Sequence, residues 1–258
     1  MILLNIIMGT LAVALISVLS VLWLSRALDA RILSQMVSLS AGLLLGTAIL
    51  HLIPEALESQ ADIHILARTM LLGLIGFFLL EKSSVLRHSH HHEGDGHNHG
   101  HGHDRAAAGP GGLMILVGDS IHDLADGVMI AAAMMVDVRL GWMTALAIAA
   151  HEVPQKLGDF IVLINAGLSR ARAIAYTMLA GAAAVAGGVM AYFALEQSTG
   201  WLPHIVVLAA ASFIYIALVD IVPDLHRRDS RRESLIQVLL LFVGVGISVV
   251  VTTSLHAH

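Results

Sequence analysis

Eight long apolar stretches, separated by short polar or charged breaks, constrain this chain more than any other feature. They lie close to residues 3–23, 35–57, 65–82, 113–135, 142–167, 171–195, 202–223 and 235–255. Each has about the 20 residues an α-helix needs to cross the hydrocarbon layer of a bilayer. They are continuous runs, not alternating strands, which excludes a transmembrane barrel. The expected fold is therefore all-α, a polytopic membrane protein of eight transmembrane helices in a single domain, 1–258. Composition agrees: 57% of the 258 residues are apolar and 13% charged, with mean hydropathy +0.82. A soluble enzyme needs more charge than that to cover its surface. The net charge of −5 and the lack of a basic run argue against nucleic acid as a partner. Without cysteine there are no disulfides and no thiolate ligands, so any metal must be held by nitrogen and oxygen donors.

The first stretch lacks a preceding Lys or Arg and a clear cleavage site, and its apolar region is too long for a signal peptide, so it reads as a span. Lys and Arg collect in alternate loops. Arg26, Arg31, Lys82, Arg87, Arg105, Arg170, Arg172, Arg227, Arg228, Arg231 and Arg232 fall on one side, Arg68 and Arg139 on the other. The basic side is expected to be cytoplasmic, which leaves both termini extracytoplasmic and the protein in the cell membrane, the inner one in a Gram-negative cell. The one long loop, 83–111, then faces the cytoplasm. It is expected to be flexible, because Gly and polar residues give it no core. Its His88, His90, His91, His92, His97, His99, His101 and His103 are eight of the sixteen histidines, a density that chelates divalent metals loosely.

Ionisable side chains inside a span are costly and mark functional sites. The fourth span reads VGDSIHDLADG and holds Asp119, His122, Asp123 and Asp126. The fifth reads AAHEVPQKLGD and holds His151, Glu152, Gln155, Lys156 and Asp159. Spacings of three, four and seven put each set on one helical face. A short link near Asp137 to Gly141 makes the two spans an antiparallel hairpin. With the turn between 138 and 139, Asp126 lies level with His151 and His122 with Gln155. Five carboxylates, two imidazoles and one ammonium form an acid-rich cluster suited to a cation. Asp119 and Asp159, at its edge, are expected to orient the ligands or to pair with Lys156. Pro154 removes a helical hydrogen bond to the carbonyl of Ala150 and favours a kink there.

HDLADG at 122–127 and HEVPQKLGD at 151–159 resemble the paired motifs of the ZIP family of divalent-metal transporters, His-Asn-x-x-Asp-Gly and His-Glu-x-Pro-His-Glu-x-Gly-Asp. HLIPEA at 51–56, FIYIALVDIVPDL at 213–225 and the preceding His-rich loop are similar as well, so the likeness covers nearly the whole chain. It implies eight helices, outside termini, uptake of Zn(II) or related ions towards the cytosol, and a one- or two-metal site lined by His122, Asp123, Asp126, His151, Glu152 and Gln155. Three positions depart from the pattern: Asp123 for Asn, Gln155 for His and Lys156 for Glu. They point to one metal on His122, Asp126 and His151, with Gln155 or Glu152, and to the Lys156 ammonium in place of a second cation; the alternative is that Lys156 snorkels away and packs.

His51-Leu-Ile-Pro54-Glu55 and Asp220-Ile-Val-Pro223-Asp224 share a pattern at the ends of spans two and seven, as an inverted repeat would. His51 and Glu55 are expected at the outer mouth of a metal pathway, Asp220 and Asp224, with His226, at the inner one. Met129, Met134 and Met135 read as lipid-facing or packing residues, and His64, His204, His256 and His258 as solvated interface residues. GAAAVAGG at 181–188 suits close helix contact within the bundle or in a homodimer.

Divalent-metal transport by alternating access is the leading function. Zn(II) is the expected substrate, and Cd(II), Fe(II), Mn(II), Co(II) and Ni(II) suit the same donors. A metal exporter of the cation diffusion facilitator type should have six helices and a soluble C-terminal domain. An intramembrane metalloprotease should have a second histidine where Gln155 stands.

Overall fold

A computed structural model describes the backbone of residues 1–24, 30–89, 104–165, 167–226 and 231–256, and side chains within 1–23, 32–79, 116–164, 167–219 and 232–250. The described residues are helical almost throughout, and the expected eight spans appear as eight rods. They are α1 (Ile2–Leu24); α2 (Ala30–Thr47), which continues through a π-helical turn (Ala48–Leu52) into α3 (Ile53–Glu58); α4 (Ile63–Ser89); α5 (Asp104–Val136); α6 (Val138–Asn165); α7 (Arg170–Glu196); α8 (Leu202–His226), after a 3₁₀ turn (Thr199–Trp201); and α9 (Arg231–His256). Among the described residues, five stretches are long and apolar enough to cross a membrane: Ile2–Trp23, Ile32–Glu58, Arg170–Glu196, Thr199–Val219 and Arg232–Val250.

Of the segment 83–111, residues 83–89 belong to α4, which runs on to Ser89, and residues 104–111 to α5, which begins at Asp104. Alanines at 106–108 favour helix. His88 therefore sits in the last turn of α4, while His90, His91, His92, His97, His99, His101 and His103 lie outside the described residues, as do the side chains of Asp220, Asp224, His226, His256 and His258.

Two groups of helices share the core. In one, α5 packs on α7 and on α6, and α1 packs on α6, α7 and α5. In the other, α2 packs on α9 and α8, and α4 on α8. The groups meet along α2 with α6 and α5 with α8. Small residues set the closest approaches. A Cβ on Gly127 of α5 would run into the backbone carbonyl of Ala184 on α7, and one on Gly187 into the carbonyl of Leu124. Much of the 181–188 run is thus spent inside the bundle. Met129 and Met134 are buried, and Met134 packs against Gly141. They are packing residues and not lipid-facing.

Polar side chains stitch the second group. Gln237 Nε2 donates to Ser34 Oγ at 2.8 Å, Ser248 Oγ donates to the Leu43 carbonyl at 3.3 Å, and Thr69 Oγ1 lies 3.3 Å from His204 Nδ1. His64 is exposed as expected, but His204 is half-buried through that contact and the edge of Trp201.

Candidate metal centre

The hairpin that carries the cluster is tighter than the sequence suggests. Asp137 alone links α5 to α6, and its Oδ1 accepts from the backbone N–H groups of Arg139 (2.8 Å) and Leu140 (3.0 Å), capping the new helix. No Cβ would fit at Gly141, which lies against Met134 of α5. At the far end α6 stops on Gly167, whose φ of 90° suits glycine. The N–H of Leu168 reaches the carbonyl of Leu163 (3.0 Å) and that of Gly167 the carbonyl of Ile164 (2.9 Å), a Schellman closure. Pro154 leaves α6 unbroken as a helical segment from Val138 to Asn165.

Centring the turn on Asp137 moves the register by most of a helical turn from the expected one. Asp126 still meets His151, at 3.6 Å. His122, however, faces His151 (Nε2 to Nε2, 3.2 Å) and Glu152 (3.8 Å). Gln155 is displaced to Asp119, to which its Nε2 donates at 3.4 Å. Of the two residues left open for the fourth ligand position, the geometry favours Glu152.

His122, Asp126, His151 and Glu152 each offer one donor atom within 4.8 Å of the others. Four of the six edges are short, 3.2 Å between the imidazoles, 3.6 Å from His151 to Asp126, and 3.8 Å from His122 to Asp126 and to Glu152. A tetrahedral ion with ligands at about 2.0–2.1 Å sets donors roughly 3.3–3.4 Å apart, so the wider edges would have to close around an ion. The two rings stand edge to face, with centroids 5.5 Å apart. Burial is uneven: the side chains of His151, Asp126 and Glu152 are 1%, 2% and 3% exposed, and that of His122 is 23%. Neither carboxylate oxygen of Asp126 has a hydrogen-bond partner, nor does Oε1 of Glu152. Buried acceptors of that kind are disfavoured unless a proton or cation meets them.

Asp123 points the other way. Its Oδ1 accepts from Lys156 Nζ at 2.7 Å, and Lys156 also donates to Asp119 and lies 3.4 Å from Glu152 Oε2. The Lys156 side chain is 1% exposed and does not snorkel. Asp159 is half-buried near the edge of the cluster. One contribution went unseen in the sequence: α1 and α7 wall a cleft beside Asp123, Glu152 and Lys156 with Ala14, Ser17, Thr177 and Gly181. The signal was Thr10 and Ser17, seven residues apart on one face of a mostly apolar span, both buried and donating to carbonyls of their own helix. His51 is distant from the cluster in sequence. It sits in the π-helical turn, buried, with Nε2 3.2 Å from the Ser248 carbonyl. Glu55, one turn on, is half-buried.

The model of the ZIP zinc transporter family matches residues 1–110 and 83–252. The chain belongs to that family. Among its ZIP relatives, the mouse zinc transporter ZIP13 is 31% identical over 258 aligned residues, covering 85% of this chain and 70% of that protein. The yeast zinc transporter YKE4 is 27% identical over 83% of this chain and 69% of its own length. The fruit-fly zinc transporter foi is 38% identical over 54% of this chain but only 20% of its own. This ZIP chain thus spans only part of the longer relatives that it matches, about a fifth of foi.

Proposed function

We propose that this chain carries divalent transition-metal ions across a membrane, Zn(II) first among them, through one site made by α5 and α6. The observation that carries the reading is Asp126, a buried carboxylate with both oxygens unpartnered and two imidazoles beside it. Such a group is costly in hydrocarbon, and a cation shared with His122, His151 and Glu152 offsets that cost. Four converging nitrogen and oxygen donors suit Zn(II), and the matched relatives bear the name zinc transporter. Cd(II), Fe(II), Mn(II), Co(II) and Ni(II) share the donor chemistry. The protease reading is weaker, because Gln155, at the position of the missing second histidine, bonds to Asp119.

Transport runs towards the cytoplasm by alternating access, with the basic loops and the histidine-rich segment inside and both termini outside. His51 and Glu55 collect the ion at the outer mouth. Asp220 and Asp224 receive it at the inner one, and the loop histidines hold it loosely afterwards. The test is uptake of several radiometals into vesicles of known orientation by wild type, His122→Ala and His151→Ala. Inward Zn(II) flux that both substitutions abolish supports the reading. Equal flux in all three, or flux only outward, overturns it.

A further inference from the structure

We propose that Lys156 is a tethered cation occupying the position of a second metal ion, so that the α5–α6 site takes one divalent ion at a time. This rests on the reading of His122, Asp126, His151 and Glu152 as a metal cage. Lys156 Nζ is surrounded by carboxylates from both helices: Asp119, Asp123 at 2.7 Å and Glu152 at 3.4 Å. Oxygen donors converging on one buried point are what a hard or borderline cation requires, and here the point is an ammonium.

Glu152 joins the two halves. Its Oε1 lies 3.8 Å from His122 Nε2, inside the cage, and its Oε2 lies 3.4 Å from the ammonium. A carboxylate split in this way is the bridge of a two-metal site, whose ions stand about 3.5–4 Å apart. Lysine changes that arrangement in two respects. It brings a single positive charge, and it cannot leave. Asp119, Asp123, Asp126 and Glu152 carry four negative charges when ionised, and Lys156 with one divalent ion offsets three of them. A second divalent ion would have to displace the ammonium and strand it, buried and unpaired, in a cleft with apolar walls such as Val13 and Ala14. The ammonium also fixes Glu152 before metal arrives, which shapes the cage in advance.

The test is anomalous scattering from the full-length protein crystallised with Cd(II), as wild type, Lys156→Arg and Lys156→Glu. Peaks are assigned by position, so metal on the histidine-rich segment does not interfere. One peak among His122, Asp126, His151 and Glu152 is expected in wild type and in K156R. K156E, with a fourth carboxylate in the second half, should show two peaks about 4 Å apart. Two peaks in wild type or K156R, or a single one in folded K156E, overturn the proposal. Should K156E not fold, wild type and K156R decide alone. A second peak beside an occupied cage refutes only the role of Lys156, whereas no peak at the cage in wild type refutes the cage and this proposal together.

Discussion

The Nε2 atoms of His122 and His151, which lie 29 positions apart in the chain, stand 3.2 Å from one another. Two ring nitrogens at that distance share either a proton or a metal ion. Since Asp126 and Glu152 close the same space with unpartnered oxygens, the pair is the natural start of a coordination shell. It also dictates how the two histidines should differ.

His151 is almost fully buried while His122 is 23% exposed, so water can partly replace only the second. His151→Ala is expected to weaken Zn(II) binding at least about 10-fold, as loss of a ligand should cost no less than loss of a group supporting one. His122→Ala is expected to cost less. Calorimetric titration of the purified variants, with the loop histidines replaced in each, checks the order; equal or reversed losses contradict it.

Protons compete for the same donors. The imidazoles bind metal only when neutral and the carboxylates best when ionised, so uptake at limiting Zn(II) should fall as pH is lowered. Saturating Zn(II) should restore much of it. The slope of apparent affinity against pH, at most about tenfold per unit for each proton displaced, reports how many of these groups release one. An apparent affinity that does not change with pH over the whole range in which the protein stays folded would count against ligands that compete with protons.

The α5–α7 contact should be intolerant of any side chain at its tightest points. Gly127→Ala and Gly187→Ala place a Cβ against backbone carbonyls that cannot move independently, and each is expected to destabilise by about 1–3 kcal/mol. Gly76→Ala, with open space around its Cβ, should be neutral or slightly stabilising. Thermal melting in detergent compares the three.

His51 and Glu55 are expected to matter only when metal is scarce. Replacing both by Ala should lower uptake severalfold at limiting Zn(II) and little at saturation. His51 also bonds to the Ser248 carbonyl, and such contacts between membrane helices are worth about 0.6 kcal/mol on average. A small loss of melting temperature should therefore accompany the change. Unaltered uptake at limiting metal would remove the outer-mouth role and leave His51 as a structural link between α2 and α9.

Much of this molecule is written plainly in the chain. Runs of about 20 apolar residues have one solution in a bilayer, so the eight rods were legible. The ionisable faces of α5 and α6 were legible too, because Asp, His, Glu and Lys have no other reason to recur at helical spacing there. The register was not. One capping carboxylate, Asp137, shortens the turn and swaps Gln155 for Glu152 opposite His122, and spacing within a helix carries no information about spacing across a link. The split of the cluster was hidden for a related reason: Asp123 and Asp126 differ by three positions, yet one turns to Lys156 and the other to the histidines. The wall from α1 was least visible, since its contribution is mostly shape.

The most direct measurement is Zn(II) uptake into proteoliposomes by wild type and by Asp126→Asn. The substitution keeps the shape of the side chain but removes the charge and one strong oxygen donor at the centre of the cage. Saturable uptake by wild type and near-complete loss in folded D126N is the predicted result. Transport by D126N at the wild-type rate and affinity would contradict the account.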